Sequence, residues 1–160
     1  MQEADMRRIV KAISDLEFKS GRIVQKEHLL LDQPNDFDSE LLIGSWNCNG
    51  WYLSHNCDDS RTLRENILHA LNCDIIGLSE THLKGDDKID LLGYKWIGSN
   101  RRTILHNSWR GSGGVGFLLK SSLLQHFEVD ILDINRDDIL WIQLRSKVDQ
   151  DMKMNVCVCY

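Results

Sequence analysis

The chain has 160 residues, 42% of them hydrophobic, with a formal charge of -5. That length supports one domain of ordinary size, and a single Pro with scattered Gly excludes collagen-like or low-complexity sequence. Charged residues are 27% of the chain and of mixed sign, which argues against wholesale disorder. No apolar run approaches the roughly 20 residues of a membrane helix. The start, Met1 to Val10, lacks the apolar core of a secretory signal. Five cysteines, an odd number, without an export signal predict reduced thiols and an intracellular protein.

In chain order, Gln2 to Lys19 reads as a helix, with Met6, Ile9, Val10, Ile13 and Leu16 on one face and Gly21 as a stop. Gln33-Pro34-Asn35-Asp36 reads as a turn or linker, so residues 1–40 are expected to be an N-terminal helix and linker, with a domain over 41–160. Leu41 to Cys48 suits a buried strand. Thr62 to Asn72 carries Leu63, Ile67, Ala70 and Leu71 at helical spacing, with Asp59 and Ser60 placed to cap it. Further strands are expected at Asp74–Ser79, Gly93–Ile97, Val115–Lys120, Glu128–Leu132, Ile139–Leu144 and Asn155–Tyr160, the last two joined as a hairpin across Arg145–Lys153. Strand, helix, strand, then a run of strands predicts a layered α/β or α+β domain. The chain stops inside an apolar strand pattern, Val156 to Tyr160, which reads as an interrupted domain.

Two polar groups end buried strands. Ser45-Trp46-Asn47-Cys48-Asn49-Gly50 places two amides two residues apart, on one side if the strand continues. Taken alone it reads as a turn rather than a site. Leu78-Ser79-Glu80-Thr81-His82 ends a strand on a carboxylate, which is costly there unless paired, protonated or bound to a cation. A hard ion such as Mg²⁺ accepts few carboxylates and keeps several waters. From Tyr94 to Lys120 the chain carries Lys95, Arg101, Arg102, Arg110 and Lys120 with no acid, which suits either a solvated loop or an anion-facing surface. Gly111, Gly113 and Gly114 form a tight turn rather than a P-loop, since no Gly-Lys-Ser/Thr follows. Cys48, Cys73, Cys157 and Cys159 lie in apolar segments with no Cys-x-x-Cys pair, a pattern of small buried hydrophobes rather than zinc ligands.

Together, Ser45-Trp46-Asn47-x-Asn49-Gly50, Ile75 to His82, Gly93-Tyr94, Gly111 to Gly116 and the closing strand ending in Tyr160 resemble the endonuclease/exonuclease/phosphatase superfamily over residues 41–160. Within it, the Glu-Thr-His form looks most like non-LTR retrotransposon endonucleases and apurinic/apyrimidinic endonucleases. The resemblance implies the first half of a four-layered α/β sandwich of DNase-like type, here incomplete and preceded by the N-terminal helix. It implies phosphodiester hydrolysis with Mg²⁺ or Mn²⁺, and DNA as the partner. In a longer polyprotein it implies a downstream reverse transcriptase domain and a nuclear setting. Residue by residue, Glu80 matches the metal-binding glutamate, Asn47 the asparagine that arranges metal and phosphate, and Tyr160 the phosphate-contacting tyrosine. Asn49 falls where apurinic endonucleases often carry an aspartate; it, His82, Arg101, Arg102 and Arg110 are candidate substrate contacts. The family's Asp-x-Asn motif, substrate-contacting aspartate and Asp-His pair lie beyond Tyr160, so the expectation is negligible activity for these 160 residues alone. The alternatives are a degenerate, non-catalytic binding module and a phosphoinositide or sphingolipid phosphatase.

Overall fold

The computed structural model describes residues 24–30, 40–52, 58–101, 111–133 and 138–160. The expected helix Gln2–Lys19 and the turn Gln33–Asp36 lie outside them. Eight strands and two helices are described: β1 (Val24–Leu30), β2 (Glu40–Asn47), α1 (Asp58–Leu71), β3 (Ile75–Ser79), β4 (Tyr94–Ser99), β5 (Val115–Lys120), α2 (Leu123–His126), β6 (Phe127–Asp133), β7 (Ile139–Ser146) and β8 (Lys153–Cys159). They form a five-stranded sheet ordered β1-β2-β3-β5-β4 and a three-stranded sheet ordered β6-β7-β8. Only β2 and β3 run parallel, as the α1 crossover between them requires; every other pairing is antiparallel. Helix, mixed sheet and antiparallel sheet stack in layers, the DNase-like α/β arrangement.

Two elements were not visible in the pattern. Strand β1 pairs with all of β2, from Val24↔Trp46 to Leu30↔Glu40, although its middle reads Gln25-Lys26-Glu27-His28. Within residues 1–40, therefore, the chain contributes an edge strand to the larger sheet. The single turn α2 follows β5 directly and buries Leu123. Helix α1 starts at Asp58, a turn earlier than expected, so Asp59 and Ser60 lie inside it rather than capping it. Its buried face is also rotated. Leu63 is 45% exposed, while Arg64 is 5% exposed and Leu68 fully buried.

Strand alternation sorts the apolar side chains into two cores. In β3, Ile76 and Leu78 face α1 with Trp46, Trp51, Leu68, Leu83 and Leu118. Ile75 faces the other way, toward Phe117, Leu119, Leu140, Ile142, Leu144 and Val158 between the sheets. Each fully buried Leu, Ile or Phe contributes about 1.5–3 kcal/mol relative to exposure. Gly77 faces the second sheet, where a Cβ would make ordinary van der Waals contact with Val158 at 3.4 Å. Strand β8 lies across β3, and this crossing positions the site. At the far end the hairpin between β7 and β8 is turned by side chains, Ser146 Oγ accepting from the amides of Val148 and Asp149, and Asp149 Oδ1 from that of Asp151.

Candidate active site

The site lies where β2 and β3 end side by side. Asn47 pairs with Ser79 in the parallel ladder, and the pairing continues past both strands. The amides of Cys48, Gly50 and Trp51 donate to the carbonyls of Ser79, Glu80 and Thr81 at 3.0, 2.6 and 2.7 Å. On the other side the amides of Thr81 and His82 donate to Gly114 and Gly113 at 3.1 and 2.8 Å, and that of Gly111 to His82 at 3.0 Å. Glu80-Thr81-His82 is thus stitched between two loops. A Cβ on Gly114, whose φ is +84, would come within 2.6 Å of the buried Thr81 Oγ1, so only glycine lets the two segments meet.

That stitching holds strained backbone. Asn49, Glu80 and His82 have φ of 45, 52 and 53, in the left-handed region. For a residue such as Glu the cost is about 1–2 kcal/mol, and such outliers concentrate where a side chain must be aimed. Leu78 faces α1, and regular alternation would send Glu80 the same way. The left-handed turn breaks the alternation. The Glu80 carboxylate instead hydrogen-bonds the phenol of Tyr160, at the end of β8 in the other sheet, and this bond and the carboxylate's charge push the phenol up from its usual range.

Asn47 reaches the same rim by ordinary alternation. Trp46 and Cys48 pack on the α1 side, so Asn47 faces the sheet of β8. Its Oδ1 accepts from the Asn49 amide at 3.0 Å, leaving one lone-pair direction open. The structure therefore brings the strand tips of Asn47 and Glu80 together and adds Tyr160 from across the sheets. Asn49 is exposed beside them, and His82 is half-buried with its backbone in the stitching.

The basic stretch is not one surface. Lys120 sits at the opposite end of β5 from the site and lies 3.6 Å from Asp74, and Lys95 pairs beside it with Leu119. Arg101 is at the site's rim, yet its Nε and Nη2 form a forked pair with Asp138 at 2.7–3.0 Å, and Nη1 donates to Ser112 Oγ at 3.2 Å. Arg102 and Arg110 lie outside the described residues.

Two contributors were missed in the sequence. Asp138 lies ahead of β7 with nothing local to mark it. Arg64 did leave a signal, a charge spaced with Ile67, Leu68 and Leu71 on the buried face of α1. Its guanidinium lies 5.4 Å from the Trp46 ring and donates to the Cys48 carbonyl at 2.9 Å, bracing the loop between Asn47 and Asn49 from beneath.

One carboxylate, one amide oxygen and a phenol suit a hard divalent ion that keeps most of its ligands as water. Among the described residues no group of three or more His, Cys, Asp or Glu side chains is placed to hold a metal, so a closed protein cage is not built here. Cys48 and Cys73 are buried as expected, whereas Cys157 is half-buried and Cys159, at the end of β8, is exposed.

The fold and this rim define a layered α/β domain with a candidate site at neighbouring strand tips. The model of the Endonuclease/Exonuclease/phosphatase family matches residues 44–153, more than half of the chain, and the chain belongs to that family. The matched span contains Asn47, Glu80 and Asp138, and Tyr160 lies just beyond it. Members of the family generally use divalent metals. No curated protein matches the chain significantly.

Proposed function

We propose that this chain carries the metal- and phosphate-binding part of a DNA endonuclease of the non-LTR retrotransposon kind. One observation carries the reading: a carboxylate from one sheet and a phenol from the other are hydrogen-bonded at a strained strand tip beside Asn47. Glu80 holds Mg²⁺ or Mn²⁺, with the open lone pair of Asn47 as a second oxygen donor. Bound there, a divalent ion supplies positive charge to a phosphate oxygen. Tyr160 has a single O–H, which here goes to Glu80; with that carboxylate on the ion, the phenol would donate it to the phosphate instead. Asn49 and His82 face the path of the DNA backbone. The Glu-Thr-His sequence and the glycine turn that grips it support the retrotransposon-like assignment.

None of Asn47, Glu80 and Tyr160 is suited to take the proton from an attacking water while also holding metal and phosphate. Hydrolysis needs a placed nucleophile as well as a clamp. The 160-residue chain is therefore expected to bind divalent metal without nicking DNA. The pairing of Arg101 with Asp138, which cancels one of the few charges at the rim, favours a second reading: a phosphatase-type member acting on a lipid phosphate, or a binding module without turnover.

Calorimetric titration of Mn²⁺ into the wild-type chain and Glu80→Gln tests the site. Wild type should bind and the variant should lose at least tenfold in affinity; equal binding removes Glu80 from the site. A plasmid-nicking assay on the same protein checks turnover, and metal-dependent nicking would overturn the expectation of inactivity. Competition by a DNA oligonucleotide but not by a soluble inositol phosphate supports the nuclease reading, and the reverse supports the lipid one.

A further inference from the structure

Arg101 follows a strand of one sheet and Asp138 precedes a strand of the other, 37 residues on, yet they form the forked ion pair at the site's rim. Each also holds one half of the site. Arg101 lies against the turn that grips Glu80-Thr81-His82: Nη1 donates to Ser112 Oγ, and a Cβ on Gly113 would stand 2.7 Å from Nε. The carbonyls of Gly113 and Gly114 in that turn receive the His82 and Thr81 amides. Asp138 holds the other half, its carbonyl accepting from the Tyr160 amide at 2.9 Å. That bond is one rung beyond Ile139↔Cys159, where a ladder ordinarily frays.

We infer that the Arg101–Asp138 pair is a positioning latch, joining the turn that aims Glu80 to the strand end that carries Tyr160, so that carboxylate and phenol meet. The inference rests on the reading that these two groups form the reactive rim. It assigns Arg101 to holding the site together through Asp138, in place of a direct phosphate contact. A forked guanidinium–carboxylate pair suits the task, because two parallel bonds fix orientation as well as distance.

Amide hydrogen exchange followed by NMR tests the latch without using activity. The Tyr160 amide is bonded to the Asp138 carbonyl, and the Thr81 and His82 amides to Gly114 and Gly113, so the latch protects both groups together. Arg101→Gln is expected to speed exchange at Tyr160, Thr81 and His82 about tenfold while amides in the middle of β3 and β7 exchange as in wild type. Arg101→Lys keeps the charge and loses the fork, so the latch predicts the same acceleration and a pure charge effect predicts none. Unchanged exchange at Tyr160 in Arg101→Gln, or in Arg101→Lys alone, overturns the inference, and native circular dichroism shows that the fold is intact. If exchange speeds up in both variants while Mn²⁺ binds wild type and Glu80→Gln equally, the latch stands and the nuclease reading fails.

Discussion

The two cores on either side of the larger sheet are built differently. Between the sheets, Leu, Ile, Val and Phe alternate along regular strands, with Ile75, Phe117, Leu119, Leu140, Ile142 and Leu144 at most 1% exposed. On the α1 side the packing mixes Trp46, Trp51, two cysteines and apolar residues of the loop after β3, with the cation of Arg64 among them. The regular core aligns one sheet over the other and so sets where Tyr160 stands. The irregular core braces the loops and so sets where Asn47 and Glu80 point. A site assembled from both sheets depends on both, through different displacements.

Removing volume from each core should separate these roles. Ile142→Ala and Leu68→Ala are each expected to cost about 2–5 kcal/mol in denaturant unfolding. Only the first should also lower the Tyr160 phenol pKa, because only it loosens the sheet-to-sheet seating. Equal shifts in both variants would break the distinction.

Next in size, Gly116→Ala should cost about 1–3 kcal/mol, since a Cβ there meets the Trp96 indole lying across the Gly98↔Gly116 pair and the ring must move. Arg64→Met should cost about 2 kcal/mol through the lost charge-assisted bond to Cys48, and weaken Mn²⁺ binding through Asn47. An unchanged affinity would leave Arg64 a purely stabilising residue.

Glu80→Gly should move stability the other way. Relief of the left-handed φ should raise unfolding stability by about 1 kcal/mol while Mn²⁺ binding is lost. A fall in stability would show that the bond to Tyr160 outweighs the strain.

A smaller effect follows from pH. Burial first, then the nearby Cys73 and Asp74, push the Tyr94 phenol up from 10.0 to about 12, and its hydroxyl donates to the Cys73 carbonyl at 2.9 Å. The folded state holds this proton more tightly than the unfolded chain. Its contribution is therefore complete below pH 10 and is lost as the pH rises toward about 12. Tyr94→Phe should flatten the decline in that window, read by thermal unfolding. Least of all, Glu65→Ala should cost only about 0.3–0.5 kcal/mol, because its partner Arg61 is an exposed neighbour one turn away on α1.

Much of the architecture was legible because it rests on local periodicity. Short apolar runs marked β2, β3, β5, β7 and β8, and a carboxylate closing one of them drew attention to Glu80. Strand β1 escaped because its middle is polar, so backbone pairing rather than side-chain pattern defines it. Leu63 was assigned to the buried face of α1 because apolar spacing ignores cation–π pairing, which seats Arg64 on Trp46 and rolls Leu63 outward.

From the amino-acid order alone came the class of elements, the family likeness, and the placement of Asn47 and Glu80 at neighbouring strand ends. Only the tertiary structure decided that Glu80 turns against its strand's alternation to meet Tyr160, and that Arg101 is matched by Asp138. The reason is physical. Periodicity is a property of adjacent residues, whereas a left-handed backbone and a forked ion pair persist only when partners distant in sequence supply the hydrogen bonds that hold them.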